Sequence, residues 1–193
     1  EGLRIIRWDK RGHGLSTIPS GPYKMGSLIT DCERLLDHLE VKECVFVGLS
    51  IGGMIAQGLA VKRLDLIRAM VLSNTAAKIG NPPLWDERIA AVRAGGVESL
   101  ADAVMELWRN MLVQQADDGY AGCSAAISGT DFFTPTSGLR LPCLGIAGSE
   151  DGSTPPDLVR ETTDLIPASK FHLIRRAGHL PCVEQPEEFA RIL

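Results

Sequence analysis

A serine set among glycines, Gly48-Leu49-Ser50-Ile51-Gly52 with Gly53 following, joins a fully apolar run at 44–48 to a helical pattern at 51–62. Few chains can make that join. A strand that turns at once into a helix brings its backbone against the helix's first turn, so the flanking residues must be small. The residue between is forced into a strained turn with its hydroxyl projected above the sheet. The segment therefore predicts a nucleophile elbow at Ser50. Ile51, at the start of the helix, then offers its backbone N–H as an oxyanion donor, helped by the positive end of the helix dipole. The competing reading is an ordinary glycine-rich turn with Ser50 as a helix cap.

The rest of the chain agrees with a parallel sheet. Short apolar runs at 3–9, 44–48, 69–74, 142–148 and 171–176 predict strands, and they alternate with helical patterns, as βαβ units require. Leu28, Cys32, Leu35, Leu36 and Leu39 recur as one face of an amphipathic helix, and further helices are expected over 51–62, 155–166 and from Pro186. Between about 78 and 138 helical periodicity persists without a strand-like run. The fold class is thus α/β, a mostly parallel sheet with helices on both faces and a helical insertion. The expected divisions are a core portion at 1–77, the insertion at 78–138 and a second core portion at 139–193.

Composition narrows the partners. The 193 residues are 45% hydrophobic, enough for a substantial core, and the net charge of −4 has no cationic face for a phosphate backbone. Nucleic acid is not expected as a partner. Five scattered cysteines form no C-x-x-C pair, so neither a disulfide framework nor a zinc site is expected. No apolar run is long enough to span a bilayer and no leader pattern opens the chain, so the expectation is a cytoplasmic enzyme with no membrane attachment. No G-x-G-x-x-G follows a strand, no phosphate-binding loop is present and no histidine–carboxylate pair has metal-ligand spacing, so no cofactor and no metal are expected.

A serine hydroxyl needs a base. Of the four histidines, His13 lies in the loop after the first apolar run, His38 is off its helix's apolar face, and His172 sits within a strand pattern. His179 remains, in a loop after the last predicted strand, at the carboxyl-end edge where open α/β sheets bind ligands. A carboxylate must then hold the imidazole's tautomer and stabilise its charge. Gly148-Ser149-Glu150-Asp151-Gly152 supplies two. Asp151 is preferred over Glu150 because a short side chain in a tight glycine turn holds the ring with fewer rotors. The strand before the insertion ends in Ser73-Asn74, without a competing acid. The chain order serine, acid, histidine is that of the α/β-hydrolases.

Taken together, these segments resemble one family, the 3-oxoadipate enol-lactonases of the α/β-hydrolase superfamily. The stretch from Ile5 to Ser16 is similar to the superfamily at large. Gly48 to Gly58, Leu72 to Gly80, and Gly148 to Pro186 carry the more specific likeness. The resemblance implies hydrolysis of 3-oxoadipate enol-lactone to 3-oxoadipate in the degradation of aromatic compounds such as protocatechuate and catechol, with the lactone and water as the small-molecule partners.

In the fold so implied, a second oxyanion donor follows the third strand, and the first run here resembles the fourth. That donor is therefore expected before residue 1, on a preceding segment. The insertion, shorter than the family's around Trp108 to Met111, is expected to set substrate choice as a lid. Trp85, Trp108 and Met111 are candidate pocket walls, and Arg88, Arg93 and Arg109 are candidate partners for a substrate carboxylate. A carboxylesterase, a C–C bond hydrolase or a cofactor-free perhydrolase would present the same triad, and a receptor that binds without turnover is a rival of another class.

Overall fold

A computed structural model describes residues 2–103 and 112–193. By internal contacts the chain forms two compact units, one from 1–31 with 80–129 and one from 32–79 with 130–193.

The second unit is built on four parallel strands, β1 (Cys44–Leu49), β2 (Ile67–Ser73), β3 (Cys143–Gly148) and β4 (Lys170–Ile174), hydrogen-bonded in chain order. Parallel neighbours need a crossover, and helices provide it. The helix α2 (Ile51–Lys62) links β1 to β2. It is apolar on every side, and Gly53 through Ala60 are all buried, as such a helix must be. Helix α6 (Pro156–Asp164) links β3 to β4, and α7 (Pro181–Glu184) and α8 (Pro186–Ile192) follow β4.

Helices cover both faces of this sheet. Side chains alternate along a strand. Thr163 of α6 packs against Gly145, while Phe189 of α8 joins Val71, Ile146 and Ile174 on the opposite face. The short α5 (Phe133–Ser137) ties in through Thr136 Oγ1, which donates to Gln57 Oε1 of α2 at 2.8 Å. Both groups are fully buried, and Gln57 Nε2 donates in turn to the carbonyls of Gly53 and Ala76, so the polar atoms are satisfied.

The first unit is helical. Helix α3 (Pro82–Gly95) starts on an Asn81 cap whose side chain accepts from Leu84 N–H at 3.1 Å. It packs with a 3-10 turn (Val97–Ala103) and α4 (Asp117–Ser128) around Val92, Val97 and Ala121. The loop at 11–23 lies on α4, where glycines leave a flat face: Tyr23's ring covers Gly122, and Gly12 meets Gly119 backbone to backbone. Helix α1 (Met25–His38) buries Leu28, Cys32 and Leu36, the apolar face anticipated from spacing.

One expected element is corrected. Residues 3–9 form no strand, and Leu3 and Ile5 are 85% and 81% exposed. Alternating apolar residues make a segment able to extend, but a strand exists only when a neighbour pairs with it, and no described strand does. In the insertion, the regular elements among the described residues are all helices joined by turns and loops, without a strand.

Candidate active site

All four strands point the same way, so the residues beyond their carboxyl ends gather at one edge of the sheet. Ser50 follows β1, Asn74 follows β2, Asp151 stands three residues beyond β3 and His179 five beyond β4.

Ser50 has φ 54 and ψ −122, a conformation that an L residue rarely adopts. Its backbone is held on every side. Ser50 N–H donates to Ser73 O at 3.0 Å, and its carbonyl accepts from Gly53 N–H at 2.9 Å and from Thr75 Oγ1 at 2.6 Å. The strained turn persists because these bonds over-determine it. The hydroxyl makes no capping bond to the helix, which disfavours the cap reading. Ile51 is the first residue of α2, where backbone N–H groups have no intrahelical partner.

The glycines around Ser50 are not equivalent. A Cβ on Gly48 would come within 2.6 Å of Gly53 N, and one on Gly53 would run into Thr75. At Gly52 a Cβ would meet nothing within 4 Å. Close approach of strand and helix thus depends on Gly48 and Gly53, and the second motif glycine is sterically open.

Asp151 is 4% exposed, whereas its rival Glu150 is exposed and donates its backbone N–H to Ala177 O at 2.9 Å. The Asp151 carboxylate is fully engaged. Oδ1 accepts from the N–H groups of Ser153 and Thr154 at 2.8 and 3.1 Å, and Oδ2 from Asn74 Nδ2 and Thr154 Oγ1, both at 2.7 Å. His179 Nδ1 lies 2.8 Å from the same Oδ2. Burial works to raise this carboxyl's pKa, but the hydrogen bonds from His179, Asn74 and Thr154, with the attraction of His179, outweigh it and hold the group well below the usual carboxylate range. Asp151 is therefore an anion aimed at the imidazole. A proton on Nδ1 directs Nε2 outward as the acceptor.

The loop carrying His179 turns back across the strand ends. Gly178 O accepts from Asn74 Nδ2 at 3.1 Å, next to β2, and the carbonyls of Ala177 and Gly178 lie where a Cβ on Gly148 of β3 would be. Only glycine at 148 lets the loop cross β3, in the direction of β1 and Ser50.

His38 is exposed, and His172 Nε2 is 3.5 Å from Glu188 Oε1. In the first unit, His13 Nδ1 lies 3.4 Å from Arg11 O. Trp85, Arg88 and Arg93 lie on α3, also in the first unit. Trp85 is buried with the Arg88 guanidinium 5.6 Å from its ring centroid, and Arg93 is exposed. Trp108, Arg109 and Met111 lie outside the described residues. Among the described residues no three His, Cys, Asp or Glu side chains group as metal ligands, and no helix is long and apolar enough to cross a membrane. Sequence reasoning missed Asn74 and Thr154 as partners of Asp151. The signal available for Thr154 was its place three residues after an Asp in a turn, where side chains commonly bond forward to the backbone.

A strained serine between strand and helix, with a paired acid and histidine at the same sheet edge, defines a class. The chain belongs to the alpha/beta hydrolase family, whose model matches residues 1–192. It is an enzyme, a serine-type hydrolase of the carboxylic-ester class. Within the family it is similar to 3-oxoadipate enol-lactonase 2 of Acinetobacter baylyi, 32% identical over 96% of this chain and 75% of the relative. The crystal structure of the enol-lactonase from Burkholderia xenovorans superposes with a TM-score of 0.91 at 33% identity, covering 95% of this chain and 76% of that one. A thermophilic esterase from Thermogutta terrifontis is similar at a TM-score of 0.87 and 28% identity, over 95% of this chain and 75% of that one.

Proposed function

We propose that the protein hydrolyses 3-oxoadipate enol-lactone to 3-oxoadipate, a step in the breakdown of aromatic compounds in the cytoplasm, through an acyl-enzyme on Ser50. The observation that carries the chemistry is the 2.8 Å bond between His179 Nδ1 and buried Asp151, at the sheet edge that also holds the strained Ser50. The choice of an enol-lactone rests on the enol-lactonase relatives.

In this mechanism His179 Nε2 takes the Ser50 proton as Oγ attacks the lactone carbonyl. The anionic Asp151 stabilises the imidazolium that forms. Ile51 N–H, at the N-terminus of α2, donates to the tetrahedral oxyanion. Collapse breaks the ring C–O bond, and His179 returns its proton to the departing enol oxygen, which remains tethered through the opened chain. Water, deprotonated by the same histidine, then releases the acid, and the enol relaxes to the ketone.

Turnover of the enol-lactone, followed against 4-nitrophenyl acetate, tests the assignment. Ser50→Ala, Asp151→Ala and His179→Ala are each expected to lower kcat by roughly 10⁴- to 10⁶-fold, because the three act as one unit. Retained turnover in Ser50→Ala would refute the mechanism. The similar Thermogutta terrifontis esterase favours a second reading, a general carboxylesterase. It predicts efficient nitrophenyl ester hydrolysis with no preference for the lactone.

A further inference from the structure

We infer that Glu184 is the positioning residue for the His179 imidazole, gripping the chain on both sides of it; the inference rests on His179 being the base, as proposed above. Glu184 closes α7, and its carboxylate reaches back over the loop. Oε2 accepts from Gly178 N–H at 2.7 Å and Oε1 from Leu180 N–H at 3.0 Å. Residue 179 is the one between them.

Helix capping explains half of this arrangement. Leu180 is the cap of α7, and a side chain returning to the cap's N–H satisfies a helix terminus. The bond to Gly178 N–H, two residues ahead of the cap, adds nothing to the helix. It fixes the loop. The carbonyls of the same loop are held as well, Ala177 O by Glu150 N–H at 2.9 Å and Gly178 O by Asn74 Nδ2 at 3.1 Å. The peptide joining residues 177 and 178 is therefore anchored on both its donor and acceptor sides, and the two peptides flanking residue 179 are each held through one group. With Nδ1 on Asp151, the ring is constrained from its tip and from its backbone, which leaves Nε2 little freedom of position.

Two backbone donors converge on one carboxylate, and that chemistry explains why the residue is an acid. In Glu184→Gln one oxygen becomes an NH₂ group that faces an N–H donor, so one grip turns repulsive while side-chain volume is kept.

The test reads His179 through Ser50. The rate at which a fluorophosphonate labels Ser50 is followed by intact-protein mass, together with kcat and KM for 4-nitrophenyl acetate. Glu184→Gln is expected to slow labelling and lower kcat by about 10- to 100-fold with KM little changed, the scale on which small misplacement of a reacting group acts. In a His179→Ala background the same change is expected to have no further effect on labelling, because Glu184 acts only through the imidazole. Undiminished labelling in Glu184→Gln overturns the inference, and so does an equal loss in the His179→Ala background. Should Glu184→Gln not fold, Glu184→Asp, which keeps the charge and withdraws it by one methylene, is held to the same criteria. Full-speed labelling in His179→Ala alone sinks the assignment of the base itself, an outcome distinct from failure at Glu184.

Discussion

Replacing Ser50 by glycine should abolish turnover and yet give a protein more stable than Ser50→Ala. Both variants lose the same hydroxyl, which makes no capping hydrogen bond, and both keep the backbone bonds of residue 50 to Ser73, Gly53 and Thr75. They differ by one Cβ. At φ 54 and ψ −122 the backbone lies in the mirror image of the extended region, which glycine enters freely. An L side chain held there costs about 1–3 kcal/mol. Glycine returns roughly 0.5–1 kcal/mol of that through the greater freedom of its unfolded chain. Central values leave about 1 kcal/mol in favour of glycine, or roughly 2–4 °C in Tm for a chain of this size. Urea denaturation of the two variants side by side measures it, with equal m-values showing that only stability has moved. A glycine variant equal to or less stable than the alanine variant would refute the claim that Ser50 stores strain.

Other expectations come from contacts at the same sheet edge and from the first unit. Gly148→Ala places a methyl on the carbonyls of Ala177 and Gly178, backbone atoms that cannot rotate away, so kcat should fall by about 100-fold as the His179 loop shifts; wild-type kinetics would show that the crossing tolerates a side chain. Gly48→Ala should destabilise by about 1–3 kcal/mol in denaturant titration while Gly52→Ala stays within about 0.5 kcal/mol, and a reversed order would contradict the packing of the elbow. Burial, with the positive charge of Lys10, lowers the His13 pKa from 6.5 to about 4, against partial opposition from the Arg11 carbonyl and Asp9. Between those values the unfolded chain binds a proton that the folded one does not, so stability rises with pH across that window. His13→Gln should flatten the rise in urea midpoints measured from pH 4 to 7, and an unchanged slope would show that His13 is not its source.

Much of this was legible in the residues because it is local. An elbow must be built from adjacent residues, so Gly48, Ser50 and the apolar runs either side announce it. Asp151 and His179 could be found because each stands just beyond a strand, and parallel strands bring the loops at their carboxyl ends to one edge. The choice of Asp151 over Glu150 came from side-chain length, and the structure buries the first and exposes the second. The features that escaped were non-local. Asn74 read as the absence of an acid, yet its amide joins Asp151, 77 residues on, to the His179 loop. Hydrogen-bond satisfaction between distant segments has no periodicity to betray it. The segment at 3–9 misled for the converse reason, since alternation reports willingness to extend and carries no information about a neighbour. Gly52 belongs to the motif as a pattern, while the steric need lies at Gly48 and Gly53.

The residues gathered at the strand ends stand at 50, 74, 151 and 179, so they leave the ribosome in that succession. The hydroxyl at 50 emerges first, and at about 5–20 residues per second the imidazole at 179 trails it by roughly 6–26 seconds. On the proposed mechanism a nascent chain therefore carries an unactivated alcohol until residue 179 is made, and a product of termination before that point lacks the base that would turn the hydroxyl on esters.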